Sequence, residues 1–181
     1  MALIHYPVIN KSGEIIASAI TNLDLHDIAR ASRTYGVRQF FVVTPLEDQK
    51  KIANRIIQHW TKGYGSNSNP LRKHALDTII IKDSPQEIIS QIHTTEGIFP
   101  KIVMTRAKQS SDSIDYKTMR NLINDGNPYL FLFGTAWGLA PQFLENSDYI
   151  LEPIKGTGDY NHLSVRSAVS IILDRLLGNI Y

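Results

Sequence analysis

"IKGTGDYNHLSVRSAVSIILDRLLG", residues 154–178, joins a polar, glycine-bearing loop to a long apolar helix. Val165, Ala168, Val169, Ile172, Leu173, Leu176 and Leu177 recur at helical spacing, and Ile171 and Ile180 widen the stripe. A helix this apolar buries more than one face, so part of it is expected to meet a second subunit. The first turn is different: Ser164, Ser167 and Ala168 are small, which leaves room for a bound group beside the helix N-terminus. Upstream lies "YILEPI" (149–154), a short apolar run with strand character. Strand, glycine loop, helix is the repeating grammar of an α/β protein.

The same grammar runs through the rest of the chain. Strands are expected at 3–9, 39–44, 78–82, 101–105, 129–134 and 149–154, and helices near 24–35, 46–62, 85–96, 115–124 and 162–178. Most of the strand candidates are continuously apolar, as strands buried on both faces are. This predicts an α/β fold, one domain over 1–181, with a mainly parallel sheet and helices on both faces. "GYGSNSNP" (63–70) reads as a flexible loop.

Composition narrows the classes. The 181 residues are 43% hydrophobic and 20% charged, as in a soluble globular protein. No apolar run is long enough for a membrane span, and the N-terminus lacks secretory features, so a cytoplasmic protein without a membrane partner is expected. Cysteine is absent, which excludes disulfides, thiolate metal sites and a cysteine nucleophile. None of the six histidines lies three to five residues from another, so no metal site is expected.

In an open parallel sheet, ligands bind beyond the carboxyl ends of strands. Three such ends carry informative loops: "MTRAK" (104–108), "FGTAWGLAP" (133–141) and "IKGTGDYNHLS" (154–164). Their glycines at 134, 138, 156 and 158 let backbone approach a ligand. The P-loop, G-x-G-x-x-G and G-x-S-x-G patterns are all missing, which argues against P-loop NTPases, standard dinucleotide folds and α/β-hydrolases.

Two further features carry charge. Residues 49–76 hold Lys50, Lys51, Arg55, Lys62, Arg72 and Lys73 and no acid, with His59, Trp60, Tyr64 and His74 among them. Such a stretch either contacts phosphates and stacks bases, or is a solvated face. On the helix starting near residue 24, Thr21 and Asp24 fit a capping box, Leu25, Ile28 and Ala29 form a core stripe, and His26, Asp27, Arg30, Arg33 and Thr34 fall opposite. Arg30 is either functional or one half of an exposed Asp27–Arg30 ion pair.

Three segments in order resemble the motifs of the SPOUT class of RNA methyltransferases, and among these the small stand-alone bacterial members near tRNA guanine-N1 methyltransferase. "NLDLHDIARASRTYGV" (22–37) is similar to the first motif, with Arg30 on its arginine. "LFLFGTAWGLAP" (130–141) resembles the second, a strand followed by G-x-x-x-G-L. "EPIKGTGDYNHLSVRSAVSIIL" (152–173) resembles the third.

The resemblance implies a C-terminal trefoil knot, which sequence physics alone would not propose. It implies S-adenosylmethionine bound in that knot, with Thr105, Phe133, Gly134, Thr135, Gly138, Leu139, Ile154, Gly156, Asn161, His162, Leu163, Ser164 and Ala168 as its binding residues. It further implies a homodimer formed partly through the last helix, and an RNA substrate. Lys50, Arg55, Lys62, Arg72 and Lys73 are the candidate RNA contacts, and Arg30 and Asp159 the candidate catalytic pair. Arg30 suits stabilisation of a developing oxyanion at a ribose hydroxyl, and Asp159 suits proton removal from a base nitrogen. Asp24 and Ser164 stand where the family's pattern has asparagines, and Arg166 where it has a serine. Ribose and base targets therefore both remain open. So do a non-catalytic donor- or RNA-binding module and an unknotted, flavodoxin-like small-molecule binder.

Overall fold

The computed structural model describes residues 1–158 and 160–179. Its centre is a seven-stranded sheet in the spatial order β5 (Ile79–Lys82), β4 (Phe40–Val43), β1 (Ala2–Ile4), β8 (Tyr129–Gly134), β6 (Lys101–Met104), β9 (Tyr149–Leu151), β7 (Ser113–Ile114). Every pairing in it is parallel. Alternate residues serve opposite faces. Leu3, Phe40, Val42 and Phe133 pack into one core with α1 (Asn22–Thr34), α2 (Glu47–Thr61), α4 (Pro70–Leu76), α6 (Tyr116–Leu122) and α8 (Val165–Leu177). Ala2, Ile4, Phe41, Val43 and Leu132 pack into a second core with α5 (Pro85–Glu96) and α7 (Gln142–Glu145). Burial on both faces explains why these strands read as unbroken apolar runs.

The elements start and stop for local reasons. Thr21 caps α1 by accepting from the Asp24 amide at 3.1 Å, and Gly36 closes it at φ 70°. Ser84 caps α5 in the same way, with Pro85 at its first position. Ser164 caps α8, so that helix begins at Val165 and residues 162–163 stay in the loop.

Several expectations change. The first strand is two pieces, β1 and then β2 (Val8–Ile9), because the chain turns at Tyr6–Pro7 and folds into an antiparallel hairpin with β3 (Ile15–Ile16). "GYGSNSNP" is not a loose loop. It forms α3 (Tyr64–Ser68) and the start of α4, capped by Asn69 accepting from the Arg72 amide at 3.0 Å. Gly65 lies so close to Trp60 that an added Cβ would fall 2.6 Å from the indole, which is why a glycine stands there.

The order β8-β6-β9-β7 fixes the geometry of the carboxyl edge. The chain makes β6, leaves a gap, makes β7, returns for β8, and only then inserts β9 between β6 and β7. The loops after β6, β8 and β9 are thereby neighbours, and the segment leading to α8 lies against the loop after β6.

Candidate active site

The loop after β8 folds tightly. A Cβ on Gly134 would sit 2.6 Å from the Leu139 nitrogen and 2.8 Å from the Gly138 carbonyl carbon. The loop is pinned to β2, with Trp137 N–H donating to Ile9 O and Ile9 N–H to Gly138 O, both at 3.0 Å. Ala136 (φ 52°) and Gly138 (φ 117°) both adopt left-handed backbone. Thr135 is buried and donates its hydroxyl to Ile4 O at 2.9 Å. It also bonds Ser18, whose hydroxyl meets His5 Nδ1 at 2.9 Å. His5 is fully buried, and burial lowers its pKa to about 4 against the opposing pull of Asp24.

Of the expected donor contacts here, Phe133 and Leu139 point into the two cores. Thr105 gives both its hydroxyl and its amide to Leu132 O. These positions therefore present backbone, not side chain, to the carboxyl edge. At Gly138 an added Cβ meets nothing, but the left-handed backbone strains any side chain placed there.

The segment after β9 is the complement. Among the described residues, no backbone N–H of 154–158 or 160–163 donates a hydrogen bond. A run of uncommitted amides at a sheet's carboxyl edge is an arrangement suited to a polar ligand. Cβ atoms built on Gly156 and Gly158 meet open space. Asn161 donates its side-chain amide to Ala107 O at 3.0 Å, and His162 meets Trp137 edge-on at 6.4 Å. The three loops are thus joined. Ile154 packs on the helical core, Leu163 is exposed, Ser164 accepts from the Ser167 amide at 3.2 Å, and Ala168 lies in the following turn. Asp159 lies outside the described residues.

Beside these loops, α1 and α8 frame an open groove of about 730 Å³ lined by Arg30, Thr34, Tyr35, Ser164, Arg166 and Ser167, among others. The Asp27–Arg30 pair weighed from sequence is not formed. Arg166 takes Asp24 at 3.0 Å and Asp27 at 3.4 Å, while Thr21 donates its hydroxyl to the other Asp24 oxygen at 2.6 Å. Asp24 is buried, so its charge requires that partner. Among the described residues Arg30 has no ion pair, and it lines the groove from an exposed position. Arg166 is the group that sequence reasoning missed. Its signal was an aspartate in the first turn of a helix, beside the core stripe and short of a cation.

His26 is also placed differently from the sequence reading. It is buried against Trp60 at 5.4 Å rather than on a solvent face, and its pKa is lowered by burial and then by Arg72. In the basic segment, the Lys50 ammonium is largely covered and bonds Glu47 and Asp83. Lys73 pairs with Asp77 at 2.6 Å, and the Arg72 guanidinium lies 4.6 Å over Trp60. Arg55 and Lys62 are exposed and make no ion pair among the described residues. Tyr64 is 81% exposed. Among the described residues no cluster could hold a metal ion, and no helix is long and apolar enough to cross a membrane.

A parallel sheet covered on both faces, with linked glycine loops at its carboxyl edge and an arginine groove alongside, is an α/β arrangement of the kind in which ligands bind beyond the strand ends. Residues 1–178 match the family described as SAM-dependent RNA methyltransferase, and the chain belongs to that family. It is 43% identical over 178 residues to the tRNA (guanine-N(1)-)-methyltransferase of Oleidesulfovibrio alaskensis, covering 98% of this chain and 41% of that protein. It is 46% identical over 180 residues to the protein of the same name from Nitratidesulfovibrio vulgaris, covering 99% of this chain and 42% of that one. The chain therefore spans well under half the length of these two relatives. Its fold is that of the SpoU methyltransferase AviRb from Streptomyces viridochromogenes, with TM-score 0.60, 17% identity, and coverage of 97% of this chain and 57% of that one. AviRb has also been solved in complex with AdoMet.

Proposed function

We propose that the chain transfers a methyl group from S-adenosylmethionine to RNA, with tRNA the favoured class. The observation that carries this is the run of amides at 154–158 and 160–163 that bond nothing among the described residues, linked by Asn161 to the loop after β6 and by His162 to the loop after β8. These residues fit the donor. The glycine positions 138, 156 and 158 leave open space, and the amides can take the edges of an adenine and the donor's carboxylate. The C-terminal segment is proposed to be threaded as a knot where β9 enters between β6 and β7.

Bound there, S-adenosylmethionine supplies a methyl carbon already activated by its sulfonium. The protein has to align the acceptor and manage its proton. Arg30, free of Asp27 because Arg166 holds that carboxylate, is placed to stabilise negative charge developing on the acceptor. Asp159 is the candidate base, should the acceptor be a ring nitrogen. The exposed Arg55 and Lys62 are the better candidates for phosphate contacts. Lys50, Lys73 and Arg72 have protein partners to leave first. Assembly is proposed as a homodimer through α8, in the cytoplasm.

The test is isothermal titration with S-adenosylmethionine, then turnover with labelled donor on bulk tRNA and rRNA. Donor binding and label in tRNA are expected. Donor binding without label in any RNA would favour a non-catalytic module. No donor binding would end the proposal.

A further inference from the structure

We propose that Trp137, with Tyr160 and His162, forms an aromatic corner on which an RNA nucleobase stacks. This rests on the RNA-directed reading above and names a binding surface for it. Trp137 is 57% exposed and Tyr160 83%, on two loops far apart in sequence. Yet the indole is not on a loose loop. Its own amide is bonded to Ile9, and the left-handed residues on either side fix the backbone that carries it. An indole that stays more exposed than buried gives up much of the burial that makes such rings favourable, and its open face is available to a partner.

The geometry suits a flat ligand. Trp137 and His162 meet at 87°, and Tyr160 and His162 are tilted by 48° with centroids 5.6 Å apart. Rings at right angles form a corner, so a planar ligand lying on one meets the other at its edge. That offers stacking together with a polar contact to the ligand's rim, the combination by which unpaired bases are held. The charge agrees with this occupant. Asn161 ties the cluster to Ala107, whose neighbours Arg106 and Lys108 make no ion pair among the described residues. They are free to meet the phosphates flanking a stacked base.

The probe is a short, labelled single-stranded RNA of mixed sequence, with an abasic strand of equal length as control. The Trp137 emission is taken as the difference between the native protein and Trp137→Phe. Saturable quenching by the base-bearing strand alone is expected. Trp137→Ala is expected to weaken binding of that strand by about tenfold, with Trp137→Phe retaining most of it, because one stacked base typically contributes about that much or more. Both variants should stay folded, with melting temperatures near that of the native protein, because the indole is more exposed than buried. Equal quenching by the abasic strand, or unchanged RNA affinity in Trp137→Ala, overturns the proposal. So does Trp137 emission that follows protein concentration and ignores RNA, which would assign the cluster to a contact between copies of the chain. A native protein that quenches on RNA but never binds the methyl donor would sink the methyltransferase reading and leave the stacking corner standing.

Discussion

Around the amino end of α8, two neighbouring surfaces are built differently. Close to the strand ends, the loops after β6 and β8 present mainly backbone, because Thr105, Phe133, Thr135 and Leu139 have their side chains committed elsewhere, while Trp137 stands exposed farther out. The α1–α8 groove presents side chains, chiefly Arg30 and Arg166. The difference separates what a substitution can do. Side-chain truncation should hurt chemistry in the groove, whereas glycine replacement should hurt binding in the loops.

Arg30→Ala puts the groove to the strongest test. Turnover is expected to fall about two to three orders of magnitude, as when one charge-stabilising donor is lost, with donor affinity and melting temperature unchanged. Full activity in that variant would remove Arg30 from the reaction. Beneath the loops, His5 supports Thr135 through Ser18. Burial lowers its pKa from 6.5 to about 4, so the unfolded chain binds a proton that the native state refuses. The resulting stability is present above pH ~6.5 and is lost as pH falls towards ~4, by roughly 3 kcal/mol in full. Thermal melts across that range should show the loss in the native protein and a flatter profile in His5→Asn; equal profiles would remove His5 as the cause.

The loops themselves divide by room. Gly134→Ala drives a Cβ into the Leu139 amide, so both melting temperature and donor affinity should drop, the latter by about tenfold or more. Gly156→Ala meets no atom of the described residues within 4 Å, so only donor affinity should fall. If calorimetry finds normal donor binding in a folded Gly156→Ala, that loop does not touch the donor. The smallest effects concern RNA. Removing Arg55 or Lys62 should lower the salt slope of RNA binding by about one unit each at most, while Lys50→Ala should leave the slope unchanged. A slope that drops only for Lys50 would reverse the assignment.

Much of this was legible before the structure. β8 and α5 fall on the expected residues, and β4, β5 and β6 differ from expectation by a residue or two at their ends. A continuous apolar run bounded by turn residues has few alternatives when both faces are buried. α3 and α4 were not legible. Gly, Ser and Asn over 63–70 carry weak helical propensity, and those helices exist because Trp60 gives them something to pack on. His26 was misplaced for a related reason. Three-and-four spacing reveals one buried stripe, but α1 packs against α2, α4 and α8 together. The loops stood out as a candidate site by their glycines. That the loops after β6, β8 and β9 lie side by side depended on where β9 inserts, which no local pattern encodes.

The pairing of Ile4 with Gly134 has a consequence for how the chain is made. β1, β4 and β5 lie within the first 82 residues and can pair while the ribosome is still working. The other edge of β1 must wait for β8, roughly 130 residues later. At typical synthesis rates of about 5–20 residues per second, the roughly 50 residues between the end of β5 and the end of β8 keep that edge of the three-stranded sheet open for about 3–10 seconds. During that interval a three-stranded parallel sheet exposes an apolar flank and an unpaired ladder, the form in which nascent chains aggregate. Folding yield should therefore depend on translation speed and chaperone supply more than on the stability of the finished sheet.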